Sequence, residues 1–299
     1  MSDKKVKYVY KTTPYDHQRK ALEDSWDADF YALLMEMGTG KSKVVIDNIA
    51  CLYENNKLNA VLIIAPKGVY DNWILGEIPT HLPDRIARHV CRWTPSSSKK
   101  FAEELEHIIL HKTNDLKIFV MNVEAFSSAR GTKAAHEFLL KNPENMVVVD
   151  ESTTIKNRKA ARTKNIMELR NVSKYRRILT GSPVTKSPMD LFSQCFFLSP
   201  RALGFNSYYA FQNRYAQVQS RTMGNRSFQE IVGYRRLDEL NERLLEFSNR
   251  TLKEDCLDLP AKVYVRRQID LTDEQLTVYT QMKKLALAQL ENGTLATTE

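Results

Sequence analysis

Short, strongly apolar runs punctuate the chain at Tyr31–Met35, Ala60–Ala65, Lys117–Met121, Met146–Val149 and Arg177–Leu179. None alternates cleanly with polar residues, which is the pattern of strands covered on both faces. Segments with helical spacing lie between them. Phe101, Leu105, Ile108 and Ile109 share one side of Lys99–His111, and Val45, Ile49, Leu52 and Tyr53 do the same after the first run. Strand–helix alternation predicts an α/β fold, a doubly wound parallel sheet with right-handed crossovers. Ligands of such sheets sit beyond the C-terminal strand ends. The chemically informative residues gather there: Gly38–Ser42, Pro66, Asp150–Glu151 and Thr180–Pro183.

After Pro200 the texture changes. Residues 200–255 are aromatic and charged, with no buried-strand signal, and read as a helical excursion. A strand is expected in KVYVRRQIDL from about residue 260, followed by a helix at Thr272 whose Gln275 completes a capping box. One strand and one helix make no core of their own. The expected organisation is therefore a nucleotide-binding lobe over 1–199, a helical protrusion over 200–259, and the start of a second lobe over 260–299.

Composition sets the outer limits. With 42% hydrophobic and 27% charged residues the chain reads as soluble and globular. No apolar run reaches the roughly 18 residues a membrane span needs. The charged start, MSDKKVKYVYK, is not a secretory leader, and four widely spaced cysteines read as reduced thiols in the cytoplasm. The net charge of +8 suits a polyanionic partner. Lys156, Arg158, Lys159, Arg162 and Lys164 cluster just after one strand end, although each alone reads equally as a solvated face.

YALLMEMGTGKS, residues 31–42, carries the sharpest chemistry: an apolar run, a two-glycine turn, then Lys-Ser opening a helix. Glycine lets backbone N–H groups close around phosphate oxygens, and the helix N-terminus favours the same negative charge. Lys41 would reach the β- and γ-phosphates, and the Ser42 hydroxyl would ligate Mg²⁺. MVVVDE ends a second run in two carboxylates, on a strand expected to neighbour the phosphate loop. Asp150 would hold the metal and Glu151 would polarise the attacking water. ILTGSPV brings a third strand end, with Thr180 and Ser182 as small hydroxyls facing the γ-phosphate.

Taken in order, Gln18 in PYDHQ, MGTGKS, LIIAPKGVYDNW, VMNVEAF, VVVDEST and LTGSP, followed by LKEDCLDLP and LTDEQLTVY, form a set that resembles the Swi/Snf-type DNA translocases of helicase superfamily 2. The likeness spans roughly residues 13–284 and corresponds to the first RecA-like motor lobe of these P-loop NTPases. The DEST box is similar to that of phage and prophage members. The resemblance implies ATP and Mg²⁺ as cofactors and double-stranded DNA as partner. It also implies a monomer working in the cytoplasm, that of the host if phage-encoded. Gln18 would read the adenine edge with Tyr15 nearby, and Gly38, Thr39, Gly40, Lys41 and Ser42 would hold the nucleotide. Thr180 and Ser182 would couple nucleotide state to the second lobe. Pro66, Lys67 and the segment around Asn122, with Lys156 and Arg158, would face DNA.

The pattern is not complete. Met35 stands where a phosphate loop usually begins with Gly or Ala, Ser152 and Thr153 replace Ala-His or Ala-Asp, and Ser182 replaces Thr. No second lobe, and so no arginine finger, is expected within these residues, which predicts weak hydrolysis by the lobe alone. A nucleotide-gated binding module without hydrolysis and a small-molecule phosphotransferase are the competing readings. Pro66 and Trp73 also read as turn and core residues, Gln18 as an exposed helix residue, and Tyr208, Tyr209, Phe211 and Tyr215 as core packing. His107 and His111 lie four apart on a half-buried helix, without the glutamate of a zinc motif.

Overall fold

The computed structural model describes residues 8–96, 98–223, 226–256 and 265–291. Two compact units divide it, residues 1–258 and 259–299. The first is built on a seven-stranded sheet. Its strands are β1 (Phe30–Met35), β2 (Ala60–Ala65), β3 (Arg88–Arg92), β4 (Leu116–Asn122), β5 (Asn145–Asp150), β6 (Tyr175–Leu179) and, after an antiparallel hairpin of β7 (Ala216–Met223) and β8 (Arg226–Tyr234), β9 (Ser248–Thr251). The order across the sheet is β3-β4-β2-β5-β6-β1-β9, and every neighbouring pair is parallel. This is the doubly wound α/β architecture that the alternation predicts.

Both faces of the sheet are dry. Because side chains alternate along a strand, Leu62, Ile64, Val147 and Val149 enter one core, while Val61, Ile63, Met146 and Val148 enter the other. Helix Lys41–Glu54 covers the second face, and Ala129–Lys141 and Asp190–Leu198 pack on the first. The expected helix at Lys99–His111 runs over Lys99–Leu110, with Ser98 Oγ accepting from Phe101 N–H as its N-cap.

Four strands depart from the sequence reading. β3 (RHVCR) and β9 (SNRT) are polar edge strands, buried on less than both faces, so neither carries the continuous apolar signal used to find strands. The excursion over 200–255 is not wholly helical. Alongside helices Tyr208–Tyr215 and Leu237–Leu245 it holds the β7–β8 hairpin and β9. The hairpin is a two-stranded ribbon largely open to water, with the cross-strand pair Val218 and Ile231 half-buried on the core. The search for strands covered on both sides misses such a ribbon.

In the second unit, residues 265–272 carry no regular structure, where the strand KVYVRRQIDL was expected; residues 257–264 lie outside the described residues. Helix Asp273–Glu291 opens with the capping box: Thr272 N–H donates to Gln275 Oε1 at 3.2 Å, and Gln275 N–H donates to Thr272 Oγ1 at 3.3 Å.

Candidate nucleotide-hydrolysis site

β1 delivers the chain to a turn, Glu36–Gly40, that two glycines make possible. Gly38 (φ 83°) and Gly40 (φ 88°) both occupy the left-handed region. At Gly40 a methyl group would also lie 2.2 Å from Gln18 Nε2. Thr39 Oγ1 donates to the Glu36 carbonyl at 2.7 Å and pins the turn from inside, so its own hydroxyl faces the loop. Lys41, the first residue of the following helix, is 9% exposed, and its ammonium lies 3.4 Å from the Glu36 carbonyl over the loop.

Gln18 is buried rather than an exposed helix residue. Its Nε2 donates to the Thr39 carbonyl at 3.1 Å, and its Oε1 accepts from Tyr15 N–H at 3.1 Å, so the amide braces the phosphate loop. The exposed ring of Tyr15 stacks on His17 at the cavity mouth.

β5 ends in the acidic pair. Asp150 is buried, and both carboxylate oxygens are engaged: Trp73 Nε1–H donates to Oδ2 at 2.9 Å and Glu151 N–H donates to Oδ1 at 2.9 Å. Burial pushes the Asp150 carboxyl above the ordinary carboxylate value; the Trp73 and Glu151 donors and the Lys41 charge pull it back. Glu151 stands in the left-handed region at φ 46°, with Oε2 3.5 Å from Thr180 Oγ1. Burial, then the neighbouring Asp150 charge, raises its carboxyl as well, against Lys41 and Thr180. Glu77 on the opposite wall is raised by its own burial and, less strongly, by Asp150.

The carboxylates and the phosphate loop do not come from adjacent strands, as expected from sequence. β6 runs between β5 and β1. The inserted strand carries Thr180 to a point between the two, where its N–H donates to the Leu33 carbonyl (3.2 Å) and its hydroxyl meets Glu151. Lys41, Ser42, Gly38, Gly40, Gln18, Asp150 and Glu151 nonetheless line one cavity of about 460 Å³. Ser182 does not: it is exposed and lines a neighbouring groove with Arg250, whose Nη1 donates to the Leu34 and Gly181 carbonyls at 3.1 and 3.0 Å.

Around the cavity stand the Ser42 hydroxyl, the Glu77, Asp150 and Glu151 carboxylates and the Lys41 and Lys43 ammonium groups, together with a glycine turn at a helix start. Hard oxygen ligands suit Mg²⁺, and the cation and turn suit phosphate, so the residues fit a magnesium–triphosphate complex. Ser42 and Asp150 would hold the metal.

The residues expected to face DNA fall into two groups. Asn122 ends β4 and Pro66 directly follows its partner β2, with Lys67 exposed next to it. The Pro66 carbonyl accepts from Val69 and Tyr70 N–H, and Asn122 Oδ1 caps the short helix Val123–Ser127. Lys156 and Arg158 follow β5 in a separate cleft, with Lys156 Nζ donating to Thr185 Oγ1 and Arg158 lying 4.2 Å over the Tyr208 ring.

Two contacts escaped the sequence reading. Trp73 packs in the core, yet a buried indole needs an acceptor and a buried carboxylate needs donors; each solves the other's problem. Ser152, inside the unusual DEST box, donates to Gln194 Oε1 at 2.7 Å, and Gln194 Nε2 donates to the Pro183 carbonyl at 2.8 Å and to the Asp190 carbonyl at 2.9 Å. Both side chains are fully buried. The isolated Gln in the apolar helix DLFSQCFFL was the available signal. His107 and His111 form part of a ring stack, 4.5 Å apart, with His89 at 4.7 Å from His107. Among the described residues no group of His, Cys, Asp or Glu is arranged to hold a metal by itself.

The family model described as "SNF2-related domain" matches residues 29–299. The DNA annealing helicase and endonuclease ZRANB3 of Bos taurus is 30% identical over 240 residues, 79% of this chain and 20% of that protein. The TATA-binding protein-associated factor MOT1 of Saccharomyces cerevisiae is 32% identical over 181 residues, 58% of this chain and 9% of MOT1. The chain thus spans about a fifth or less of these relatives. Among solved structures, the Sulfolobus solfataricus SWI2/SNF2 ATPase core in complex with dsDNA superposes with a TM-score of 0.61 at 23% identity, over 97% of this chain and 55% of that one.

Proposed function

The chain belongs to the SNF2-related domain family, and on that premise we propose that it is the ATP-binding motor lobe of a translocase or helicase that moves along double-stranded DNA. The reading rests on one observation: Lys41, Ser42, Asp150 and Glu151 meet in a single cavity at the C-terminal edge of the sheet. Residues 1–199, with β9 completing the sheet, form the nucleotide lobe, the rest of 200–259 a protrusion, and 260–299 the link into a second lobe. The half of the Sulfolobus core that this chain does not cover supports a two-lobed motor. The DEST box supports a phage or prophage lineage, and we propose a monomer acting in the cytoplasm, that of the host if phage-encoded.

The chemistry is in-line attack of water on the γ-phosphate. Bound Mg²⁺ supplies charge neutralisation on the phosphate oxygens. Lys41 holds the β/γ oxygens and offsets charge that develops on them. Burial raises the Asp150 carboxyl, and Trp73, the Glu151 amide and Lys41 all work against that rise by favouring its charged form. Glu151 orients the attacking water and takes its proton, its raised pKa suiting a general base. Thr180, touching Glu151 and resting on β1, carries the state of the phosphate site into the LTGSP turn.

The test is phosphate release by the full gene product, with and without duplex DNA. Hydrolysis stimulated by duplex and abolished in both Lys41→Ala and Glu151→Gln supports the mechanism; parent-like rates in both variants overturn it. Tight ATP binding with no phosphate release under any DNA condition favours the gated binding module instead.

A further inference from the structure

The aromatic stretch at residues 208–215 does not behave as one unit. Phe211 and Tyr215 are completely buried and serve the core, as helical packing predicts. Tyr208 is only half-buried, and Tyr209 is 65% exposed. These two rings form one wall of a cleft of about 400 Å³. The segment that follows the catalytic strand also lines it, with Lys156, Lys159 and Arg158, the last lying over the two rings. Gln229 of the β7–β8 hairpin closes one side.

The charges of this cleft are unbalanced. Its one carboxylate among the described lining residues, Asp190, accepts the Thr185 hydroxyl and the Thr185 and Lys186 amides on Oδ2 and its charge acts on Lys156, which leaves Arg158 and Lys159 in excess. The Arg158 guanidinium is held 4.2 Å from the Tyr208 ring centre and 5.4 Å from that of Tyr209, so the cation is fixed in place by aromatic rings and left open to an anion. The ligand it fits carries a phosphate and a flat aromatic group. In a duplex a base offers only its edge to the grooves; its face is available for stacking only when unpaired. A concave site of this volume admits a single nucleotide, whereas a continuous duplex would only span its rim.

We propose that this cleft takes an unpaired nucleotide of a DNA strand, with its phosphate on Lys156, Arg158 and Lys159 and its base stacked on Tyr209. The inference rests on the DNA-motor reading and adds to it a preference for duplex with a single-stranded extension. It also gives the hairpin a role, through Gln229 at the side of this cleft.

The experiment compares a blunt duplex with the same duplex bearing a single-stranded overhang, by fluorescence anisotropy at fixed salt, using the full gene product. The parent should bind the overhang substrate more tightly. Tyr209→Ala should weaken overhang binding roughly 5- to 150-fold, the range expected for loss of one base–aromatic stack, and leave blunt-duplex binding unchanged. Tyr209→Phe should restore the preference, which a loss of local folding would not allow. Lys159→Gln should weaken the overhang substrate more than the blunt duplex and flatten the salt dependence of overhang binding by somewhat under one unit of slope. If the parent binds both substrates equally, or Tyr209→Ala leaves overhang binding intact while blunt duplex still binds, this inference fails and the motor reading stands. If neither DNA binds at low salt, both fail.

Discussion

Removing the Gln194 side-chain amide should cost more than removing the amide and its Ser152 partner together. Ser152 donates to Gln194 Oε1, and Gln194 Nε2 donates to the Pro183 carbonyl, all within a core from which both side chains are fully shielded. A buried polar group left without a partner costs about 1–3 kcal/mol, whereas exchanging both partners for apolar groups is nearly neutral. Gln194→Leu orphans the Ser152 hydroxyl and the partly buried Pro183 carbonyl, for a cost of about 2–4 kcal/mol. Ser152→Ala orphans Gln194 Oε1, about 1–3 kcal/mol. The double variant leaves only the Pro183 carbonyl unpaired, so it should be about 2–4 kcal/mol more stable than the sum of the singles implies. Urea denaturation of all four proteins measures this directly. Strictly additive costs would refute the argument, because the two groups would then not depend on each other for satisfaction. The same cycle repeated on ATP hydrolysis tests whether the bridge positions Glu151, since Ser152 follows it immediately and Pro183 closes the turn that carries Thr180.

Trp73→Phe keeps the packing but deletes the donor to Asp150, a bond to a charged acceptor worth about 1.5–3 kcal/mol. The acidic limb of the pH–rate profile should move to higher pH, because Asp150 then ionises less readily; superimposable profiles would count against its ionised role. His89 has its pKa lowered by burial first and by the His107 charge second, with Lys117 adding and Glu104 and Asp115 opposing. A depressed histidine costs nothing above its unfolded value near 6.5, where both states are neutral, and destabilises as pH falls below it, because the unfolded chain takes the proton first. The urea midpoint should therefore drop between pH 7.5 and 5.5, and His89→Gln should shrink that drop. An unchanged drop would locate the titration elsewhere, with His81, lowered in the same direction, the next to examine.

What was legible in the chain follows from how completely each segment is buried. β1, β2, β4, β5 and β6 announced themselves because a strand between two cores must be apolar on both sides. β3, β9 and the hairpin did not, because edges and ribbons keep polar residues. The site residues were legible where chemistry fixes local spacing, as in the glycine turn with Lys41 and Ser42 or the Asp150–Glu151 pair. Contacts made by the fold were invisible: Trp73 and Asp150 are 77 positions apart, Ser152 and Gln194 are 42. The interposition of β6 was hidden for the same reason. Alternation gives the sequence of elements, while the order of strands across the sheet depends on which face each crossover takes.

β9 lies beside β1 in the sheet although some 216 positions separate Leu34 from Arg250. The backbone groups along that side of β1 thus stay unsatisfied until nearly all of the first unit has left the ribosome. Long-range parallel pairing of this kind is entropically expensive and slow. A nascent or truncated polypeptide stopping before Ser248 would display β1, the strand feeding the glycine turn, as an open edge, and such fragments should aggregate rather than accumulate as half-built nucleotide binders.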